Sequence, residues 1–277
     1  IKQMKKLNFK RNINLLDPNN LNFKKINNKS INLIDIKYNQ KKAFEKISNK
    51  SNKFIKKSFQ MAFKILREKK IFKLINGPIS KKYFLKKKYL GITEYIAKEF
   101  NADEFCMLIY NPNLSVCPIT THLPIKQVAK NLNKKKVFQK IKLIDNFYKK
   151  ILGFKPKISV LGLNPHCESI DKYNEEENII KPAIKKLSKN CNVSGPFSAD
   201  TIFLRNNRKH FDVIVGMYHD QVLTPLKTIY EYNAINITLG LPFFRISPDH
   251  GPNVTMFGKN KSNPLSLIRA LKFLDKN

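Results

Sequence analysis

Three of the five histidines in this 277-residue chain, His122, His166 and His219, share one setting. Each stands just after a short apolar run that reads as a strand, and strand ends along one edge of a sheet converge. Imidazoles far apart in sequence can therefore meet there. Three neutral imidazoles suit Zn²⁺, Co²⁺ or Ni²⁺ and leave positions open for substrate oxygens, which is the pattern of a catalytic metal site. Downstream lie Lys227, Asn236 and Arg245. Arg245 sits in the apolar segment Leu241-Pro-Phe-Phe-Arg-Ile246, and a charge so embedded calls for a partner such as a substrate phosphate or carboxylate. Asn236 either hydrogen-bonds the same ligand or caps a turn. Asp200, in Ser198-Ala-Asp-Thr201, either caps a helix or orients a histidine. Asp249-His-Gly251 reads as a polar loop near the site rather than a primary ligand. For each group a plainer role competes: a loop histidine can be a surface residue, and Lys227 a solvated charge.

The elements that must position these residues alternate. A helix is expected over 51–70, with Phe54, Ile55, Phe59, Phe63 and Leu66 at helical spacing. A strand follows at 71–75, then the turn Asn76-Gly-Pro78, a helix over 93–100, and a strand at 104–110. A short strand at 116–120 runs into the loop of His122, which Pro124 closes, and 125–152 reads as mainly helical. The strand 157–163 leads to Asn164-Pro-His166. Residues 175–190 form a helix whose first-turn acids suit its dipole and which Pro182 kinks or shortens. The strand 212–218, a helix around 221–232, a strand at 234–239 and a helix from Pro264 to Leu274 complete the chain. Strands alternating with helices imply an α/β fold with a mostly parallel sheet.

Composition narrows the class of protein. A formal charge of +33 arises from lysine spread over the whole length and accompanied by Asn and Ile, a signature of AT-rich coding rather than of a polyanionic partner. Arginine, the usual reader of base edges, is scarce, so no specific nucleic-acid partner is expected. No apolar run approaches the roughly 20 residues that span a bilayer, so no membrane partner is expected either. No apolar core follows the basic start Ile1-Lys-Gln-Met-Lys-Lys6 to make a signal peptide. Cys106, Cys117, Cys167 and Cys191 are scattered without a C-x-x-C pair, which points to a reducing cytoplasmic setting. There is no H-E-x-x-H and no G-x-G-x-x-G, so neither a short zinc motif nor a Rossmann fingerprint is present. The residues themselves lead to a metal-dependent α/β enzyme acting on a small anionic substrate.

At these same residues the sequence resembles the 4-hydroxythreonine-4-phosphate dehydrogenase (PdxA-like) family of vitamin B6 biosynthesis. The matching motifs are Asn76-Gly-Pro78, Gly91-Ile-Thr-Glu94, Thr120-Thr-His-Leu-Pro124, Gly162-Leu-Asn-Pro-His166 and Gly195-Pro-Phe-Ser-Ala-Asp-Thr201. They continue through Met217-Tyr-His-Asp-Gln221, Asn236-Ile-Thr-Leu-Gly-Leu-Pro242 and Asp249-His-Gly251, in the family's order over about residues 70–277.

The resemblance implies an isocitrate/isopropylmalate-dehydrogenase-like fold of two α/β subdomains, with the active site in the cleft between them. It implies one catalytic unit over 1–277, and a homodimer with active sites at the subunit interface. NAD or NADP is the implied cofactor, together with a divalent metal (Zn, Mg or Co) on His122, His166 and His219. Thr93, Lys227, Asn236 and Arg245 are implied to bind the phosphorylated substrate, and His219, Lys227 and Asp200 to serve catalysis. The implied reaction oxidises the C3 hydroxyl of 4-phosphooxy-L-threonine and releases CO₂ to give 3-amino-2-oxopropyl phosphate. Ile92 stands where the family has a substrate-contacting histidine, while Val222 and Pro248 replace residues common in it. Residues 1–60 carry none of the motifs. The family's Gly-Asp-Pro-Ala-Gly-type segment is absent, so the chain reads as lacking that N-terminal part.

Overall fold

Period-two runs of β-branched and apolar residues build an eight-stranded sheet in the larger of two compact units. The computed structural model describes residues 1–68, 71–85 and 88–277. Ten strands are defined among them: β1 (Ile13–Leu15), β2 (Ile31–Leu33), β3 (Lys73–Ile75), β4 (Cys106–Tyr110), β5 (Ser115–Thr120), β6 (Ile158–Leu161), β7 (Val193–Phe197), β8 (Val213–Tyr218), β9 (Ile235–Leu239) and β10 (Phe244–Pro248).

The larger unit comprises Lys73–Pro78, Lys88–His250 and Asn263–Asn277. Its strand order is β3-β10-β9-β4-β5-β8-β6-β7. The pairs β3/β10, β5/β8, β6/β8 and β6/β7 are parallel, whereas β9 runs antiparallel to β10 and β4, and β4 to β5. The fold is α/β with a mostly parallel sheet, as the alternation implies.

Successive strand residues face opposite sides, so the sheet carries two cores. One gathers Cys106, Leu108, Ile119, Ile158, Val160, Val213, Val215, Ile235 and Ile237 under the helices Lys134–Phe147, Lys181–Leu187 and Leu265–Lys276. The other gathers Met107, Ile109, Val116, Leu161 and Ile214 under the helix His219–Tyr230. Val222 and Leu226 of that helix are fully buried, and each contributes roughly 1.5–3 kcal/mol to holding it against the sheet. Val222, a departure from the family pattern, is thus a core residue.

The smaller unit comprises Ile1–Phe72, Ile79–Lys87 and Gly251–Ser262. Its parallel pair β1/β2 precedes the helix Asn52–Glu68. Phe59, Phe63 and Leu66 form the buried face of that helix, and Phe59 meets Phe63 and Phe84 ring to ring. The last two residues of the expected helix, Lys69 and Lys70, lie outside the described residues.

Several expectations shift. Tertiary pairing recruits β7 and β10, neither of which alternates cleanly enough to read as a strand; the apolar segment of Arg245 thus becomes a strand paired on both sides, with β3 and β9. The helix expected from 221 begins at His219. The helix expected over 175–190 divides into a π-turn, Glu176–Ile180, and an α-helix from Lys181, because Pro182 has no N–H to continue the first segment's ladder. All four cysteines are free thiols. Among the described residues no helix is long and apolar enough to cross a membrane.

Candidate active site

Three neighbouring parallel strands, β5, β8 and β6, end along one edge of the sheet, and each is followed by one of the three histidines. Thr120 pairs with Tyr218, so His122 and His219 leave their strands side by side, with ring centroids 5.8 Å apart. His166 leaves β6 through the loop 162–165 and stands on a left-handed backbone (φ 55°) with 74 % of its side chain exposed. The structure thus brings two of the three imidazoles into ring contact. The third lies at the same edge but is turned outward to Asp200. Among the described residues no group of three or more His, Cys, Asp or Glu side chains is close enough to hold a metal ion.

The donor chemistry nevertheless suits one. Each imidazole has a carboxylate at Nδ1: Glu94 Oε1 at 3.4 Å from His122, Asp220 Oδ1 at 2.6 Å from His219 and Asp200 Oδ2 at 3.8 Å from His166. Carboxylates in that position orient metal-ligating histidines and leave Nε2 for the ion. Burial pushes the Glu94 carboxyl up, but the contacts from His122 and Thr121 outweigh it and hold the group below the usual carboxylate range. Asp200 is also held low, first by the Ser198 hydroxyl at 2.7 Å and then by the charge of His166.

The strands that flank this edge carry a polar stripe through the second core's face. Arg245 on β10 pairs with Thr238 on β9, and Ser247 with Asn236. Arg245 is 3 % exposed and donates to Asn76 Oδ1 (2.7 Å), Thr93 Oγ1 (3.1 Å) and Thr238 Oγ1 (3.0 Å). Burial lowers its pKa to about 10, against the opposing charge of Glu94. Glu94 therefore feels both Arg245 and His122 and links the guanidinium to the histidine edge. Asn236 Oδ1 and Glu94 Oε2 are buried without a hydrogen-bond partner among the described residues. Such orphaned atoms call for a ligand or ordered water.

Lys227 is placed differently from the expectation. Two turns along the helix from His219, its Nζ is ion-paired with Asp249 Oδ2 and donates to the Asp249 carbonyl at 2.6 Å. Burial raises the Asp249 carboxyl against the charges of Lys227 and His219. Asp249 thus ties Lys227 to the histidine edge, a larger role than a nearby polar loop. Ile92, buried at the start of the helix Ile92–Glu99, offers no hydrogen bond.

Three further side chains shape the site without having stood out by spacing. Glu94 and Gln221 lie inside matched motifs, and Glu176 is one of the first-turn acids that suit a helix dipole. Gln221 accepts from Met217 N (2.6 Å) and donates to Gly162 O (2.7 Å), which clips the end of β8 to the loop after β6. Glu176 is fully buried and accepts from the backbone N–H groups of that loop. The loop is packed so closely that a Cβ on Gly162 would lie 2.7 Å from Cys167 Sγ and 3.0 Å from Glu176 Oε1. Gly162→Ala should therefore cost about 1–3 kcal/mol by overpacking, read as a lower urea midpoint with an unchanged slope. Cys167 is the semi-buried packing thiol that this contact requires.

The family model described as Pyridoxal phosphate biosynthetic protein PdxA matches residues 2–274, reaching well into the region that carries no motif. A 4-hydroxythreonine-4-phosphate dehydrogenase of Sulfurihydrogenibium sp. is 44 % identical over 216 residues, which cover 76 % of this chain and 66 % of that protein. A D-threonate 4-phosphate dehydrogenase of Pectobacterium atrosepticum is 34 % identical over 186 residues, 66 % of this chain and 57 % of that protein. The crystal structure of 4-hydroxythreonine-4-phosphate dehydrogenase from Klebsiella pneumoniae superposes with a TM-score of 0.79 at 27 % identity, covering 98 % of this chain and 85 % of that one. The chain thus spans less than two thirds of the length of these curated relatives. With a family match over nearly its whole length and the same fold as a solved member, the chain belongs to the PdxA family of pyridoxal phosphate biosynthetic proteins.

Proposed function

We propose that the chain is a 4-hydroxythreonine-4-phosphate dehydrogenase, oxidising and decarboxylating 4-phosphooxy-L-threonine in pyridoxal phosphate biosynthesis with NAD or NADP and a divalent metal. The observation that carries this reading is the buried Arg245–Thr93–Thr238 cluster, joined through Glu94 to the adjacent imidazoles of His122 and His219. One end of that arrangement suits a phosphate and the other a metal chelated by substrate oxygens. When bound, NAD⁺ accepts hydride and the metal withdraws electron density from the oxygens it binds.

The chain's own residues do the rest. Arg245, Thr93 and Asn236 bind the phosphorylated substrate and fix its reacting carbon against the histidine edge. His122, His219 and His166 hold the metal, and Asp200 orients His166. Lys227, fixed by Asp249, places a positive charge beside the group whose charge grows during the reaction. The same reading carries a homodimer and a cytoplasmic setting, which the four free thiols suit.

A second reading, oxidation of 4-phospho-D-threonate or a related phosphorylated sugar acid, is favoured by Ile92, which leaves one substrate contact without a hydrogen bond, and by the Pectobacterium relative. NADH formation by the chain with each of the two substrates, in the presence of Zn²⁺, Mg²⁺ or Co²⁺, decides between them. A higher kcat/KM for 4-phosphooxy-L-threonine supports the first reading and a higher value for phospho-D-threonate the second. Turnover of neither removes both.

A further inference from the structure

Glu176 is a carboxylate with no exposed surface, and the proposed reaction gives it no part. Burying an ionised carboxylate is costly unless its oxygens are satisfied by donors. Those donors all come from one short segment. Leu163 N and Asn164 N donate to Glu176 Oε1 at 2.7 and 2.8 Å, and Asn164 Nδ2 donates to Oε2 at 2.9 Å. Burial raises the carboxyl, but these donors outweigh it and keep it below its ordinary range.

The segment so held is the approach to His166. Its next residues adopt an unusual backbone: His166 and Cys167 are consecutive non-glycine residues with φ of 55° and 61°. Each such residue costs on the order of 1–3 kcal/mol and persists only where the surroundings over-determine it. His166 itself is mostly exposed, so its side chain's packing does not impose the conformation. The constraint comes from behind the loop. Glu176 grips Leu163 and Asn164, Gln221 grips the Gly162 carbonyl, and Gly162 has no Cβ to keep the carboxylate away. Glu176 is the first residue of the π-turn Glu176–Ile180 and is buried with Ile179 and Ile180 rather than standing on a solvated first turn.

We propose that Glu176 is a positioning residue for His166: its carboxylate clamps the backbone of Leu163 and Asn164 and so fixes where His166 leaves the sheet edge that also carries His122 and His219. This rests on the reading of His166 as a metal ligand. Glu176 acts through the loop and touches neither metal nor substrate.

The test is Co²⁺ titration, followed by visible absorption, of the full chain, Glu176→Gln, His166→Ala and the double variant, with thermal melts alongside. Glu176→Gln should weaken Co²⁺ binding about 10–100-fold, as loss of an outer-shell partner does, and should cost nothing further once His166 is alanine. A Glu176→Gln penalty equal in both backgrounds, or no penalty at all, would overturn the proposal. If Glu176→Gln does not melt cooperatively, Asn164→Ala takes its place in the same cycle and must give the same dependence on His166. Failure of the unaltered chain to bind Co²⁺ would reject the metal reading rather than the clamp. The clamp then stands on amide exchange: Leu163 and Asn164 should exchange at least 10-fold faster in Glu176→Gln, and equal rates would sink it.

Discussion

Arg245→Met should lower kcat/KM for the phosphorylated substrate by about 10²- to 10³-fold while changing the stability of the fold by no more than about 1–3 kcal/mol. The guanidinium is 3 % exposed, and its three hydrogen bonds go to neutral oxygens of Asn76, Thr93 and Thr238. Nothing in that set neutralises the charge, although Glu94 lies near enough to oppose the loss of its proton. A guanidinium whose pKa falls to about 10 on folding binds its proton less tightly in the folded chain than in the unfolded one. At neutral pH the charge therefore works against folding, but removing the side chain also takes the donor from Asn76 Oδ1, Thr93 Oγ1 and Thr238 Oγ1, so the two contributions oppose each other. An arriving phosphate would reverse the balance by supplying the missing negative charge. Arg245→Lys should not rescue activity, because one ammonium cannot serve three acceptors in a fork and a phosphate as well. Paired kinetics and urea unfolding check both halves. A large loss of stability with unaltered kcat/KM would mean that Arg245 is a structural group only.

His219→Ala should weaken Zn²⁺ or Co²⁺ binding by more than about 100-fold, beyond the roughly 10–100-fold that loss of an outer partner such as Asp220 costs, and should abolish turnover. His219 directly follows β8, the strand between those that lead to His122 and His166. Its imidazole makes the ring contact with His122 and carries a carboxylate at Nδ1. The side chain is 36 % exposed at the start of its helix, while Val222 and Leu226 hold the helix to the sheet. The apo-protein melt should therefore move by no more than a few degrees. Isothermal titration with each metal reads the affinity. Binding unchanged by the substitution would remove His219 from the ligand set and leave the edge to His122 and its neighbours.

Elements whose residues obey one period were legible in the chain. The strands at 212–218 and 234–239 are short apolar runs of strand length, and the helix carrying Phe59, Phe63 and Leu66 has its apolar residues at helical spacing. β10 was not legible, because Phe243-Phe-Arg-Ile246 has no alternation and its strand conformation is imposed by pairing with β9 and β3. β7 contains Gly195 and Pro196, which argue against a strand locally, and the edge position beside β6 tolerates them. The helix at 175–190 was legible as helical, but not as a π-turn that turns Glu176 into the protein.

The candidate site divides in the same way. Residue type and position after a strand were enough to single out His122, His166 and His219, because strand ends and imidazoles have restricted uses. The embedded charge of Arg245 was equally visible, since an arginine among apolar neighbours needs a reason. Glu94, Glu176, Gln221 and Asp249 gave no such signal: acids and amides are common near helix starts and in loops, and, Met217 apart, their partners lie 12 to 59 positions away in sequence. Only the folded chain brings Glu94 to His122, Gln221 to Gly162 and Asp249 to Lys227. The sequence by itself determined which groups can do chemistry and that an α/β sheet would carry them, because side-chain chemistry and hydrophobic period are local properties. The tertiary structure alone decided which imidazoles touch, which charges are buried and which carboxylates hold the loops, because those depend on strand order and register that no local pattern encodes.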